Sequence, residues 1–147
     1  MIATTLKDGF GIRLTFSGHE ADIPLIVDPT SITPPGIDGG DPIDATTHSN
    51  TAVRTKRPRQ LVEITDASMT VVYDPDAWDD IRALIGVNTE ITITFPTPGD
   101  GTLTVWGYLK SFTPNAYVEG EQATAEAVVV ITNANAAQAE TGPAYVA

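Results

Sequence analysis

The 147-residue sequence has no cysteine, which excludes disulfides, thiolate metal sites and cysteine nucleophiles. That absence fits synthesis in a reducing compartment. Bases are scarce: eight Lys and Arg stand against nineteen Asp and Glu, for a formal net charge of −11. A surface of that sign repels phosphate, so a role that grips nucleic acid along the whole molecule is disfavoured. It leaves room for a role in which DNA passes without sticking. No apolar run approaches the roughly 18 residues of a membrane-spanning helix, and no membrane partner is expected. The first residues, Met1-Ile-Ala-Thr-Thr-Leu-Lys-Asp-Gly9, lack a basic n-region and an apolar h-region, so no signal peptide is expected.

Catalytic signatures are missing as well. The two histidines, His19 and His48, both lie in polar loop sequence. No nucleophile elbow accompanies either one. Gly36-Ile-Asp-Gly-Gly40 follows no strong strand and lacks the lysine of a phosphate-cradling loop. Asp38, Asp41 and Asp44 do not match EF-hand spacing, and Pro42 interrupts them. The expectation is therefore no catalytic residue, no cofactor and no metal. Hydrophobic residues make up 41% of the chain, enough for one core and one domain over residues 1–147.

What is present reads as β. Phe10, Ile12, Leu14 and Phe16 alternate with smaller or polar residues, as a half-buried strand requires. A second, edge-type strand is expected over Asp22–Val27, where Pro24 removes a ladder donor. From Asp28 to Asn50 periodicity is lost among Pro29, Pro34, Pro35, Gly36, Gly39, Gly40 and Pro42. A loop this long is usually functional or ordered by a partner. Leu61 to Tyr73 is rich in β-branched residues, with Met69, Val71 and Tyr73 on one parity. It runs into Asp74-Pro75-Asp76, where Asp74 can cap a helix and Pro75 can open it. The helix is predicted over about 75–86, with Trp78, Ile81, Leu84 and Ile85 as its apolar stripe and Gly86 as its stop. Asp79 and Arg82 can pair along it. Strands then follow at Thr89–Phe95, Thr102–Phe112 and Ala123–Ile131, with a turn over Pro96–Gly101 between the first two. An Ala-rich polar arm over 133–147 ends the sequence. The fold class is mainly β: an antiparallel sandwich or partly closed barrel with one flanking α-helix.

One charged feature stands apart. Arg54, Lys56, Arg57 and Arg59 are half of all the bases. They form either a solvated loop or an electrostatic contact to the acidic surface of another copy.

In order and texture the chain resembles the major tail protein, or tail tube protein, of long-tailed bacteriophages. The resemblance is carried by Asp44-Ala-Thr-Thr-His-Ser-Asn50, the basic Arg54–Arg59 segment and Leu61–Tyr73 running into Asp74-Pro-Asp. It continues through Ile91-Thr-Ile-Thr-Phe95, Val105-Trp-Gly-Tyr-Leu-Lys-Ser-Phe112 and the strand from Ala123 to Thr132. It covers roughly Asp44 to Thr132. It implies a non-enzymatic virion subunit, made in the host cytoplasm, that forms stacked hexameric rings with long loops and arms locking neighbours. The expected partners are further copies of the chain, the tape-measure protein, and tail terminator and distal tail proteins. Genomic DNA would pass through the bore without specific binding.

Within that picture His48, Arg54, Lys56, Arg57 and Arg59 are candidate inter-subunit contacts. Glu63, Asp66, Glu121 and Glu126 are candidate lumen-lining carboxylates. A contractile-type or secretion-system tube subunit is a near alternative. A β-sandwich carbohydrate-binding or adhesin module using Trp106 and Tyr108 is the other.

Overall fold

A computed structural model describes residues 12–17, 29–95 and 101–147. The expected strand at 22–27 and the turn at 96–100 lie outside these residues. The rest is mainly antiparallel sheet curled into a half-barrel, with one short helix. The main sheet comprises β1 (Arg13–Phe16), β2 (Pro29–Thr33), β7 (Ala67–Val72), β8 (Thr89–Thr94), β9 (Thr102–Pro114), β10 (Thr124–Ile131) and β11 (Ala144–Val146). Its order is β1-β8-β9-β10-β7-β2, and β11 pairs with β9.

Alternation builds the core. Leu14 and Phe16 of β1, Ile91 and Ile93 of β8, and Val105 and Leu109 of β9 are all buried. So are Ala67, Met69 and Val71 of β7, and Ala125, Ala127, Val129 and Ile131 of β10. Every one sits on its strand's core-facing parity, as a period of two requires. Burying each large aliphatic side chain contributes roughly 1.5–3 kcal/mol.

One irregularity decides where Phe112 goes. β9 runs against β10 with Val129 opposite Leu109 and Val128 opposite Ser111, so Lys110 is an extra, bulged residue. A bulge shifts parity by one. Trp106 and Tyr108 stay on the face away from the core, whereas Phe112 lands opposite buried Ala127 and packs against the core. Counting by twos from Trp106 alone puts Phe112 on Trp106's face.

The helical segment is shorter than expected and divided. Asp74 caps a 3-10 turn, Pro75–Ala77, by accepting the Asp76 amide at 3.0 Å. The α-helix α1 then spans only Trp78–Leu84. It ends because Ile85 turns extended and bridges Leu109. Gly86 follows at φ +77 and donates its amide to the Leu109 carbonyl at 3.1 Å. The expected stripe is half right. Ile81 and Leu84 are buried, but Trp78 is 53% exposed and Ile85 43% exposed. So short a helix covers only about two turns of sheet, and its first residue overhangs the edge of the core.

Residues 34–66, between β2 and β7, are not a structureless loop. They form a hairpin arm. β3 (Ile37–Asp38) pairs with β6 (Glu63–Ile64), and β4 (Ile43–Asp44) with β5 (Lys56–Arg57). The expected single strand from Leu61 to Tyr73 is therefore two strands, one in the arm and one in the sheet. The C-terminal arm folds back onto its own sheet through β11, held further by Ala134 bridging Glu140.

Candidate assembly surfaces

The arm is built to project. Its base is fixed by reciprocal bonds: Gly36 donates to Thr65 Oγ1 at 2.7 Å, and Thr65 donates its amide to the Gly36 carbonyl at 2.9 Å. Its tip is closed by Asn50, whose Nδ2 donates to Thr55 Oγ1 at 2.6 Å and to the Val53 carbonyl at 3.0 Å. The Asn50 Oδ1 accepts the Thr47 amide at 2.9 Å. Between base and tip no residue is buried. Ile37, Val53, Leu61 and Val62 are all more than half exposed. A two-stranded ribbon with no covered face is marginal in water.

The basic candidates all lie on the return leg of this arm, and His48 sits in the turn at its tip. They are not equivalent. Arg54 pairs with Asp44 at 3.8 Å. Thr46 holds Asp44 charged, through its side chain and its amide, and this lowers the Asp44 pKa below the ordinary carboxylate range. Arg59 donates Nε to the Asp41 carbonyl at 2.9 Å, pinning the two legs together. Lys56 and Arg57, on β5, have no ion pair among the described residues. Of the four basic candidates they are the two not bonded to the opposite leg.

The lumen candidates are dispersed. Glu63 lies on β6 in the arm, Asp66 in the link from β6 to β7, and Glu121 in the loop joining β9 to β10. Glu126 alone lies in the main sheet, on β10, on the face away from the core. That face is hydroxylic, as its cross-strand rows show. One row sets Thr15 beside Thr92 and Thr104, and a second sets Arg13 beside Thr94 and Thr102. A third joins Thr113, Glu126, Thr70 and Ser31, and a fourth Ser111, Val128, Ser68 and Thr33. Glu90 pairs with Trp106 on the same face. Sequence reading missed this surface, although the signal was visible as threonine alternating with apolar residues at Thr92, Thr94, Thr102 and Thr104.

The third surface surrounds α1. Trp78, Ile81, Arg82, Ile85 and Phe112 line a cleft of about 90 Å³. Asp74, Asp76, Asp79 and Asp80, on and just before α1, are exposed, and none of them lines the cleft. The expected Asp79–Arg82 pair does not form.

None of these surfaces brings together a nucleophile, a base and an orienting group. Among the described residues no cluster of His, Cys, Asp or Glu is placed to hold a metal ion. No described helix is long and apolar enough to cross a membrane.

Comparison with solved structures decides what kind of fold this is. A chain from the tail of an empty gene transfer agent particle, refined with six-fold helical symmetry, matches at a TM-score of 0.65. The match has 11% identity and covers 97% of this chain and 100% of that one. The fold is shared with tail-particle proteins. A chain of an extracellular contractile injection system, from its extended sheath–tube complex, matches at 0.63 with 15% identity, over 86% and 88%. Hcp1 from Flavobacterium johnsoniae matches at 0.52 with 12% identity, over 83% and 90%. No protein-family model and no curated protein matches the sequence.

Proposed function

We propose that this chain is the structural subunit of a phage tail tube, assembling as stacked hexameric rings around a conduit for the genome. The observation that carries the reading is the arm. On a fold shared with tail-particle chains, it carries exposed apolar side chains and two bases that have no ion pair among the described residues. A ring closes when two different, complementary patches meet head to tail, and the basic segment Arg54–Arg59 on the arm's return leg, in a molecule of charge −11, provides one of them. The hydroxyl-rich sheet face is the proposed bore. Among its few charges the two acids Glu90 and Glu126 outnumber the one base Arg13, which disfavours a hold on a phosphate backbone. The tape-measure protein, and tail terminator and distal tail proteins, are the other proposed partners. The virion tail is the proposed location, after assembly in the host cytoplasm. The subunit performs no catalysis in this reading.

A tube of the contractile-injection or secretion type is the second reading, favoured by the matches to the contractile injection system and to Hcp1. The test is electron microscopy of the purified full chain at high concentration, with Lys56→Glu/Arg57→Glu beside it. Hollow tubes with six-fold end views from the wild type, and folded monomers from the double variant, are expected. Tubes of normal length from the double variant would refute the role of the arm. A wild type that stays monomeric even beside other tail components would overturn the tube itself.

A further inference from the structure

The outer sheet face ends in a pocket that the fold itself does not use. Ser17, Asn88, Thr89, Glu90, Trp106 and Ala136 line about 280 Å³ of open space where β8 begins. Bonds made behind the pocket hold its walls in place. Ser17 donates its amide to the Glu90 carbonyl at 2.9 Å, which fixes the end of β1 beside β8. Thr132 donates its amide to the Trp106 carbonyl at 2.9 Å and its hydroxyl to Asn88 Oδ1 at 2.7 Å. Asn88 Nδ2 donates in turn to the Ala134 carbonyl at 2.8 Å, holding the loop that bears Ala136 against the strand. A site whose walls are already set loses little freedom when it binds.

Two polar groups in this frame are left over. Thr89 Oγ1 is buried with no hydrogen-bond partner, an arrangement that folded proteins rarely leave standing. The Glu90 carboxylate has no ion pair among the described residues. It stands directly across the strand pair from Trp106, where Cβ atoms are about 5 Å apart. No base lines the pocket. A carboxylate beside an indole repels phosphate and attracts a cation, which can stack on the ring while it pairs with the acid. Arginine suits the pocket better than lysine. Its flat guanidinium stacks, and its five donors serve both the carboxylate and the unpartnered Thr89 hydroxyl. We infer that the Trp106–Glu90 pocket is a receptor for an arginine side chain of a basic polypeptide lying along the outer sheet face. Its setting rests on the assembly reading above: each subunit turns one such pocket into the bore, and the occupant is a basic chain threaded through it.

The chain holds two tryptophans, so each can be made the sole fluorescent reporter on the full-length protein. Trp78→Phe leaves Trp106 alone, and Trp106→Phe leaves Trp78 alone. The probe is the capped tripeptide acetyl-Gly-Arg-Gly-amide, with citrulline in place of arginine as the neutral control. Emission from Trp106 is expected to change saturably with the arginine peptide and not with the citrulline one. Glu90→Gln, placed in the Trp78→Phe chain, weakens that binding at least about tenfold. An equal response to citrulline, or binding unchanged by Glu90→Gln, overturns the inference. So does the same saturable signal from Trp78 in the Trp106→Phe chain. Sedimentation of the same samples keeps the two readings apart. Tubes that form while Trp106 emission ignores the peptide sink the pocket and spare the tube. Binding by a chain that never assembles sustains the pocket and sinks the bore as its setting.

Discussion

Gly107 shows how a single missing side chain shapes the sheet. It sits where β9 has Thr89 on one side and Ile131 on the other. A Cβ built there would run into the Val130 carbonyl oxygen, which is backbone and has no way to swing aside. Gly107→Ala is therefore expected to destabilise the fold by about 2 kcal/mol, the usual range for forced overpacking. In a chain of this size that is a fall of roughly 5 °C in Tm, read by a thermal melt. Trp106 and Tyr108 flank this glycine on the face away from the core. The residue pattern read there, as aromatics at i and i+2, was correct. Their neighbour's constraint was invisible, because Val130 approaches from a strand more than twenty residues away.

The helix and the arm carry the lesson at the scale of elements. Asp74-Pro75-Asp76 was legible as a helix start because capping is local chemistry, satisfied within three residues. Where the helix stopped and which side it buried were not local. Leu109 recruits Ile85 and Gly86 into its own hydrogen bonding, which ends α1 at Leu84 and rotates Trp78 outward. Two substitutions separate these roles. Leu84→Ala is expected to cost 2–5 kcal/mol in urea unfolding, as for a buried leucine. Trp78→Ala should cost no more than about 1 kcal/mol. Equal losses of stability from both would show that Trp78 belongs to the core. The arm was missed as a hairpin for a similar reason. Its two legs are interrupted by prolines and glycines that break every periodic pattern, and its pairing is made between short stretches such as Ile37–Asp38 with Glu63–Ile64.

For the whole molecule, three surfaces differ in chemistry. The arm's return leg gathers Arg54, Lys56, Arg57 and Arg59, α1 exposes Asp79 and Asp80 together with Arg82, and the outer sheet face is hydroxylic. This arrangement makes the assignment of the bore testable. Glu90→Lys/Glu126→Lys adds two bases per subunit to a face that already carries Arg13. Tubes of that variant should form normally, since neither residue lies on the arm or the cleft. They should retain short duplex DNA against nuclease at low salt and release it as salt rises, whereas wild-type tubes retain none. DNA that binds but is digested would place this face on the outside of the tube.

The sequence by itself determined that the chain is β-rich, acidic, free of cysteine and of recognisable catalytic motifs, and that a capped helix follows the strand expected to end at Tyr73. These properties reside in composition, alternation and capping, each readable within about ten residues. It also marked Arg54–Arg59 as the charged anomaly. Only the tertiary structure decided which of those bases remain free, since Arg59 and Arg54 find partners on the opposite leg of the arm. It likewise decided that Trp78 overhangs the core, that the four proposed lumen carboxylates scatter across different surfaces, and that the sheet's outer face is built of hydroxyls. Each of those outcomes depends on strand pairing and on one bulge at Lys110, which are long-range contacts that no local stretch of sequence encodes.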